Sequence, residues 1–272
     1  MVGLALETIE LATLLPGIPG PQLVNGLGVE EMWKAEIYAE SGSTIAYVKM
    51  LEPQQVISEV VCALLGVALE LNMPTPFLVY VERVNLNGSQ KWKANESSRV
   101  CFGSEDAKHP SFRQIIKMQQ GMTNALLNEL LNWSGYKPTA WFDEWTANND
   151  RHPGNLLYDG KEFWLIDHGH AFTGPQWMPS DLDPDRQVDN RFLQPTYVQG
   201  FTTPKKEEWK IVAGAESLRY QAIAFDTLRE CGMMDDYSTP EQRAAIVNFL
   251  AKRAEYFMNL ACDRLGIPRP LI

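Results

Sequence analysis

Three residues in one short stretch carry groups that chemistry can use: Asp150, Asn155 five positions later, and Asp167 twelve positions after that. Phosphoryl transfer needs this set in this order. One carboxylate orients the attacking hydroxyl, while a side-chain amide and a second carboxylate hold magnesium against nucleotide phosphates. The elements around them are built to position them. Phe142–Ala147 reads as a short helix, which Asn148-Asn149-Asp150 breaks into a loop that Pro153-Gly154 keeps irregular as far as Asn155. Leu156-Leu157-Tyr158 and Phe163-Trp164-Leu165-Ile166 are two apolar runs joined by Asp159-Gly160-Lys161, a strong hairpin signal. Asp167 ends the second strand, so the two metal-binding candidates, Asn155 and Asp167, face the same cleft as Asp150.

The same chemistry needs a cation for the phosphates and a partner to aim it. Thr44–Met50 reads as a strand with Lys49 near its end, paired with Lys34–Tyr38 through the turn Glu40-Ser41-Gly42-Ser43. Small residues at Ser41, Gly42 and Ser43 let backbone N–H groups approach phosphate closely, so this turn is the expected phosphate-contacting loop. Gln54 to Asn72 is the clearest helix, stopped by Met73-Pro74. Ile57, Val60, Val61, Leu64, Leu65 and Ala68 form its apolar stripe, and Glu59 lies on a different face beside Cys62, Ala63 and Gly66. Those small neighbours permit close packing, so Glu59 is expected to point at Lys49. Thr75–Glu82 follows as the strand leading to a hinge. His152 is expected to brace the loop, since Asp150 already fills the place of a base.

The segment from Phe142-Asp143-Glu144-Trp145 through Asn148-Asn149-Asp150-Arg151 to Trp164-Leu165-Ile166-Asp167-His168-Gly169 resembles the HipA-like kinases, a family that includes toxin kinases. Asp-Arg-His-x-x-Asn and Asp-x-Gly-His are also similar to phosphatidylinositol kinases. Aminoglycoside phosphotransferases resemble it too, but carry His-Gly where this chain has Asn148-Asn149. The resemblance runs from about Lys34 to the C-terminal helices and is sharpest over residues 142–170. It implies an α+β, bilobal protein-kinase-like fold. Residues 1–82 would form an N-terminal lobe with a small antiparallel sheet and one helix, and residues 83–272 a mainly helical C-terminal lobe. It implies ATP and Mg2+ as cofactors, Asp150, Lys49 and Glu59 as catalytic residues, and Asn155 and Asp167 as metal ligands. The nucleotide would meet Lys49, Ser41, Gly42, Ser43, Asn155 and Asp167. The implied acceptor is a serine or threonine of a protein, with an antitoxin or regulatory protein as a possible partner. The extra N-terminal subdomain of the longer HipA-like toxins is not expected in this chain, which leaves a toxin role open. Ser41 and Ser43 are candidates for autophosphorylation by placement. A small-molecule or lipid acceptor, or a nucleotide-binding module without turnover, remain alternatives.

Elsewhere the sequence gives organisation. Asn85–Phe112 is polar and turn-rich around a short strand at Val100-Cys101-Phe102. Phe112–Trp133 reads as a helix whose middle contains Gly121, so either one helix or two is expected. Pro175, Pro179, Pro184 and Pro195 exclude regular helix after His170, where the kinase reading places the activation and substrate-binding loop. Lys205–Cys231 and Thr239–Leu265 read as two closing helices, the second opened by Thr239-Pro240-Glu241-Gln242.

At 272 residues and 45% hydrophobic content the chain can bury one large core or two lobes. A net charge of −10 argues against nucleic acid as the main ligand, since that affinity rests on clustered Lys and Arg. The longest uncharged stretch, Leu11–Val29, holds three prolines and four glycines and is a poor membrane span. No Lys or Arg precedes Lys34, so a signal-peptide n-region is not expected. Cys62, Cys101, Cys231 and Cys262 lack paired spacing, which fits reduced thiols in a cytoplasmic protein, and no zinc motif joins them to the four histidines.

Overall fold

The structure, a computed structural model, describes residues 4–24, 30–229 and 235–269. It is an α+β fold. The strands β1 (Glu10–Leu14), β2 (Gln22–Leu23), β3 (Glu31–Ala39) and β4 (Gly42–Met50) precede α1 (Pro53–Ala68). Then come β5 (Pro76–Glu82) and β6 (Ser98–Glu105). The hydrogen-bonded order is β1-β5-β6-β4-β3-β2, and β1 also pairs with β3. The sheet therefore closes on itself as a five-stranded barrel, with β2 appended to β3.

Closure corrects the expected small antiparallel sheet. β1 runs parallel to β5, with Ala12 opposite Val79, and antiparallel to β3, with Ala12 opposite Ala39. Alternation along each strand decides what fills the barrel. Ala46, Val48 and Met50 point inward with Ala12, Leu14, Trp33, Ala35, Ile37, Phe77, Val79, Val81 and Cys101, forming a core of their own. Burying each of the larger of these side chains contributes roughly 1.5–3 kcal/mol. Tyr47 and Lys49 consequently lie on the outer surface of the barrel.

The lobe boundary expected after Glu82 would cut this sheet. β6 lies between β5 and β4, pairing Phe102 with Leu78 on one side and with Lys49 on the other, so the sheet extends to Glu105. The chain leaves the barrel after β6, not after β5.

The remainder is mainly helical. α2 (Phe112–Met118) and α3 (Asn124–Asn132) are separated near Gly121, whose φ of +146° suits glycine. α4 (Tyr136–Trp145) leads into the loop before the hairpin β7 (Leu156–Tyr158) and β8 (Phe163–Leu165). Asp159 closes that hairpin by accepting the N–H groups of Lys161 and Glu162 at 2.8 and 2.7 Å. α5 (Pro195–Gln199), α6 (Thr203–Gln221), α7 (Asp226–Arg229), α8 (Pro240–Glu255) and α9 (Phe257–Leu265) complete the chain. The helix expected over Lys205–Cys231 ends at Gln221, and Cys231 lies outside the described residues. Tyr256 divides the single helix expected over Thr239–Leu265 into α8 and α9. Cys62, Cys101 and Cys262 are buried free thiols.

α1 belongs to a second, larger core. Gln55 through Gly66 are all buried, so this helix is covered on every side rather than along one stripe. Its apolar residues belong to one core with Leu78 and Phe102 of the barrel's outer surface and with buried residues of α4, β7, β8, α6, α8 and α9. Near the N-terminus, Leu4 donates to the Ala222 carbonyl at 2.7 Å and accepts from Ala224 at 2.9 Å. Among the described residues no helix is long and apolar enough to cross a membrane.

Candidate active site

β4 delivers Lys49 to the boundary between the two cores, where α1 presents Glu59. The Lys49 ammonium donates to Glu59 Oε1 and, at 3.1 Å, to Asp167 Oδ1. Lys49 and Glu59 are 7% and 2% exposed, so their pairing is made away from solvent. Burial alone would discharge the lysine, but the charges of Asp167 and Glu59 outweigh it and hold its pKa above the usual lysine value. Burial would likewise raise Glu59; the Lys49 charge and the hydrogen bond from His168 win and lower it. Glu59 Oε2 accepts the backbone N–H of His168 at 2.9 Å, which ties α1 to the residue after Asp167. Trp177 adds a second tie, its indole N–H donating to Gln54 O and Ser58 Oγ at 3.3 and 3.1 Å.

Asp167 follows β8 with φ +63°, a left-handed conformation that aspartate tolerates better than most residues. Its side chain is 35% exposed, leaving Oδ2 open toward solvent. Beside it, Gln55 donates to Glu30, whose pKa is raised by burial first and then by the Asp167 charge.

The loop after α4 carries Asp150 and Asn155. Asn155 Nδ2 donates to the Asp150 carbonyl at 2.9 Å and lies 3.5 Å from Asp150 Oδ2. That leaves Asn155 Oδ1 available to a cation. Asp150 Oδ1 pairs with Arg191 at 2.8 Å, and Oδ2 lies 3.8 Å from His152 Nε2. His152 Nδ1 accepts the Gly154 N–H at 3.0 Å, so this histidine braces the loop. Burial, then the Arg113 charge, lowers its pKa.

Arg151, whose role the sequence did not disclose, holds the two halves of the site together. Its guanidinium pairs with Asp143 through Nε at 3.0 Å and Nη2 at 3.1 Å. Its Nη1 donates to the carbonyls of Asn155 at 3.0 Å and Ile166 at 2.8 Å. One buried side chain thus places the residue before Asp167 against Asn155. Asn148 Nδ2 also donates to Asp143, at 2.8 Å. A signal for this was present: an aspartate inside the apolar helix Ala140–Trp145, eight residues before an arginine, has no place in a core unless paired.

The turn Ser41-Gly42-Ser43 is not part of this arrangement. It joins β3 to β4 at the end remote from Lys49, seven residues along the strand. At about 3.3 Å per residue that is roughly 23 Å. Ser41 instead donates from its N–H at 2.6 Å and its hydroxyl at 2.8 Å to Glu10. The structure brings Lys49, Glu59, Asp167, Asn155 and Asp150 into one region and leaves Ser41, Gly42 and Ser43 out.

The donors present fit magnesium with nucleotide phosphates rather than a self-contained metal cage. Among the described residues no group of three His, Cys, Asp or Glu side chains is placed to hold a metal. Mg2+ is ordinarily held by one or two carboxylates, water and substrate phosphates. The carboxylate of Asp167 and the amide oxygen of Asn155 match that pattern.

A buried Lys–Glu pair on a strand and helix, joined to an Asp at a strand end and a loop Asp–Asn set, is the arrangement of a phosphotransferase. The sequence model of the family described as HipA-like kinase matches residues 41–183, more than half of the chain, and the chain belongs to that family. Its fold is similar to the crystal structure of the Helicobacter pylori proinflammatory kinase CtkA, at 15% identity and a TM-score of 0.50. That likeness covers 90% of this chain and 96% of the other. No curated protein sequence matches the chain.

Proposed function

We propose that this kinase is an ATP- and magnesium-dependent serine/threonine protein kinase, with nucleotide bound between a barrel-bearing lobe and a helical lobe. The observation that carries the reading is Lys49, fixed between Glu59 and Asp167 in a nearly dry setting. A cation held in that way is aimed at phosphate oxygens and cannot swing into solvent. Asn155 and Asp167 would hold Mg2+, which supplies charge neutralisation at the phosphates. Asp150, anchored through Arg191 on Oδ1, orients the acceptor hydroxyl with Oδ2, which Asn155 Nδ2 approaches only to 3.5 Å. Catalysis is then positioning plus electrostatic stabilisation. An antitoxin or regulatory protein remains a proposed partner by family.

Transfer of labelled γ-phosphate from ATP tests this, with a cell lysate and the protein itself as acceptors. Label on serine or threonine, lost in Asp150→Ala and Asp167→Ala, is the expected result. Nucleotide binding without any transfer by the wild type would overturn it.

A further inference from the structure

The chain carries a net charge of −10, yet two side chains close to Asp150 and its loop are arginines, Arg191 and Arg113. We propose that Arg191 and Arg113 select an acceptor hydroxyl that has a carboxylate beside it, so that the preferred substrate is a serine or threonine in an acidic segment. This rests on the protein-kinase reading above and names its substrate class.

Arg191 is built into place. It opens the 3-10 turn Arg191–Leu193 between two buried anchors. Asn190 donates to Ala140 O at 2.7 Å and to Glu144 Oε2 at 3.1 Å, both on α4. Phe192 lies against Tyr136 with ring centres 4.7 Å apart. The arginine between them is 39% exposed and spends only Nη2 on Asp150 among the described residues. A guanidinium has five N–H donors, so donors remain on this partly exposed side chain for a second carboxylate. Because the turn is fixed on α4, this contact is not a swinging cap. It also engages Asp150 Oδ1 rather than the Oδ2 assigned to the hydroxyl.

Arg113 lies against the catalytic loop at Gly154. A Cβ on Gly154 would come within 2.9 Å of its Cζ, which puts the guanidinium directly against the loop. Both arginines bear on His152, lowering its pKa behind the larger effect of burial. No hydrogen bond or ion pair engages the Arg113 side chain among the described residues. An acceptor segment entering over Asp150 therefore comes close to two arginines, and a carboxylate on it gains where a lysine is repelled.

The test uses serine and threonine peptides flanked by Asp or Glu, by Ala, or by Lys, with Mg–ATP. Wild type, Arg191→Ala, Arg191→Lys and Arg113→Ala are compared. Wild type should favour the acidic peptides over the alanine set by about ten-fold in kcat/KM, as one charge-assisted bond allows. The two alanine variants should flatten that ratio with the KM for ATP unchanged, and Arg191→Lys should restore part of it. Equal use of all peptides by the wild type, a preference for Lys, or a uniform rise in turnover in Arg191→Ala would overturn the proposal. Absence of phosphate from every peptide would instead remove the protein-kinase reading beneath it.

Discussion

Arg151 and Asp143 face each other across the base of the catalytic loop through two near-parallel hydrogen bonds, at 3.0 and 3.1 Å, with neither side chain exposed. The pair is more than an ion pair. The same guanidinium reaches the backbone on both sides of the site, so Asp143 governs where Asn155 and Asp167 lie relative to each other.

Asp143→Ala leaves Arg151 buried without its counter-charge. Breaking a buried pair in this way costs about 3–5 kcal/mol. Denaturant unfolding should show that loss, and phosphate transfer should fall even where the variant remains folded, because the Asn155–Asp167 relationship is no longer fixed.

His168 gives the stability a pH dependence with a definite sign. Its ring is buried, Nε2 has no partner, and burial first, then the Arg151 charge, lowers its pKa. A depressed folded value means the unfolded chain binds the proton more readily. The stability from this residue is therefore complete above the unfolded value of about 6.5 and is lost as pH falls through the folded one. His168→Phe should remove that acid-side loss, since a phenyl ring keeps the edge contact with Phe142 and leaves no orphaned nitrogen. Unfolding free energies from pH 8 to pH 5 for the two proteins should diverge below about 6.5.

Arg253 fastens the proline-rich segment. It donates to Trp145 O at 3.0 Å, Pro184 O at 2.8 Å and Arg186 O at 2.9 Å, as well as to Glu144 O. Arg264 adds Val188 O at 2.7 Å and the Glu144 carboxylate. Arg253→Ala strips partners from four carbonyls at once, a loss of about 3 kcal/mol or more. Limited proteolysis should then cut between residues 184 and 190, where the wild type resists.

Ser41→Ala and Ser43→Ala should leave the KM for ATP unchanged, because the turn stands at the far end of β4. A steady-state titration of ATP with each variant checks this. Stability should barely move, because the Ser41–Glu10 contact is exposed to solvent.

What was legible in the sequence was short-range. Asp150, Asn155 and Asp167 fall within one loop and one hairpin, so spacing alone places them. Lys49 and Glu59 are ten residues apart on a strand and the helix that follows it, and their apolar patterns fix both faces. The role of Ser41 to Ser43 was misread because small residues in a turn say that backbone can approach something, not which end of the strand the turn occupies. β1 was hidden for another reason. Its five residues carry little pattern, and its partner β5 begins more than sixty residues later. Arg191 became visible only when the fold brought a loop forty residues downstream onto Asp150.

Barrel closure also sets a timetable for synthesis. β1 emerges from the ribosome early, but it cannot complete its hydrogen bonds until β5 has followed, and the ring is not shut until β6 is made at Glu105. For that interval Lys49 has a strand to sit on but no finished wall behind it, and Glu59 waits on a helix whose covering is still untranslated. Asp167, the third member, arrives about sixty residues after the ring closes. All the strands of the barrel are thus synthesised before the last of the phosphate-handling groups, so the scaffold can form first where folding proceeds by units from the N-terminus.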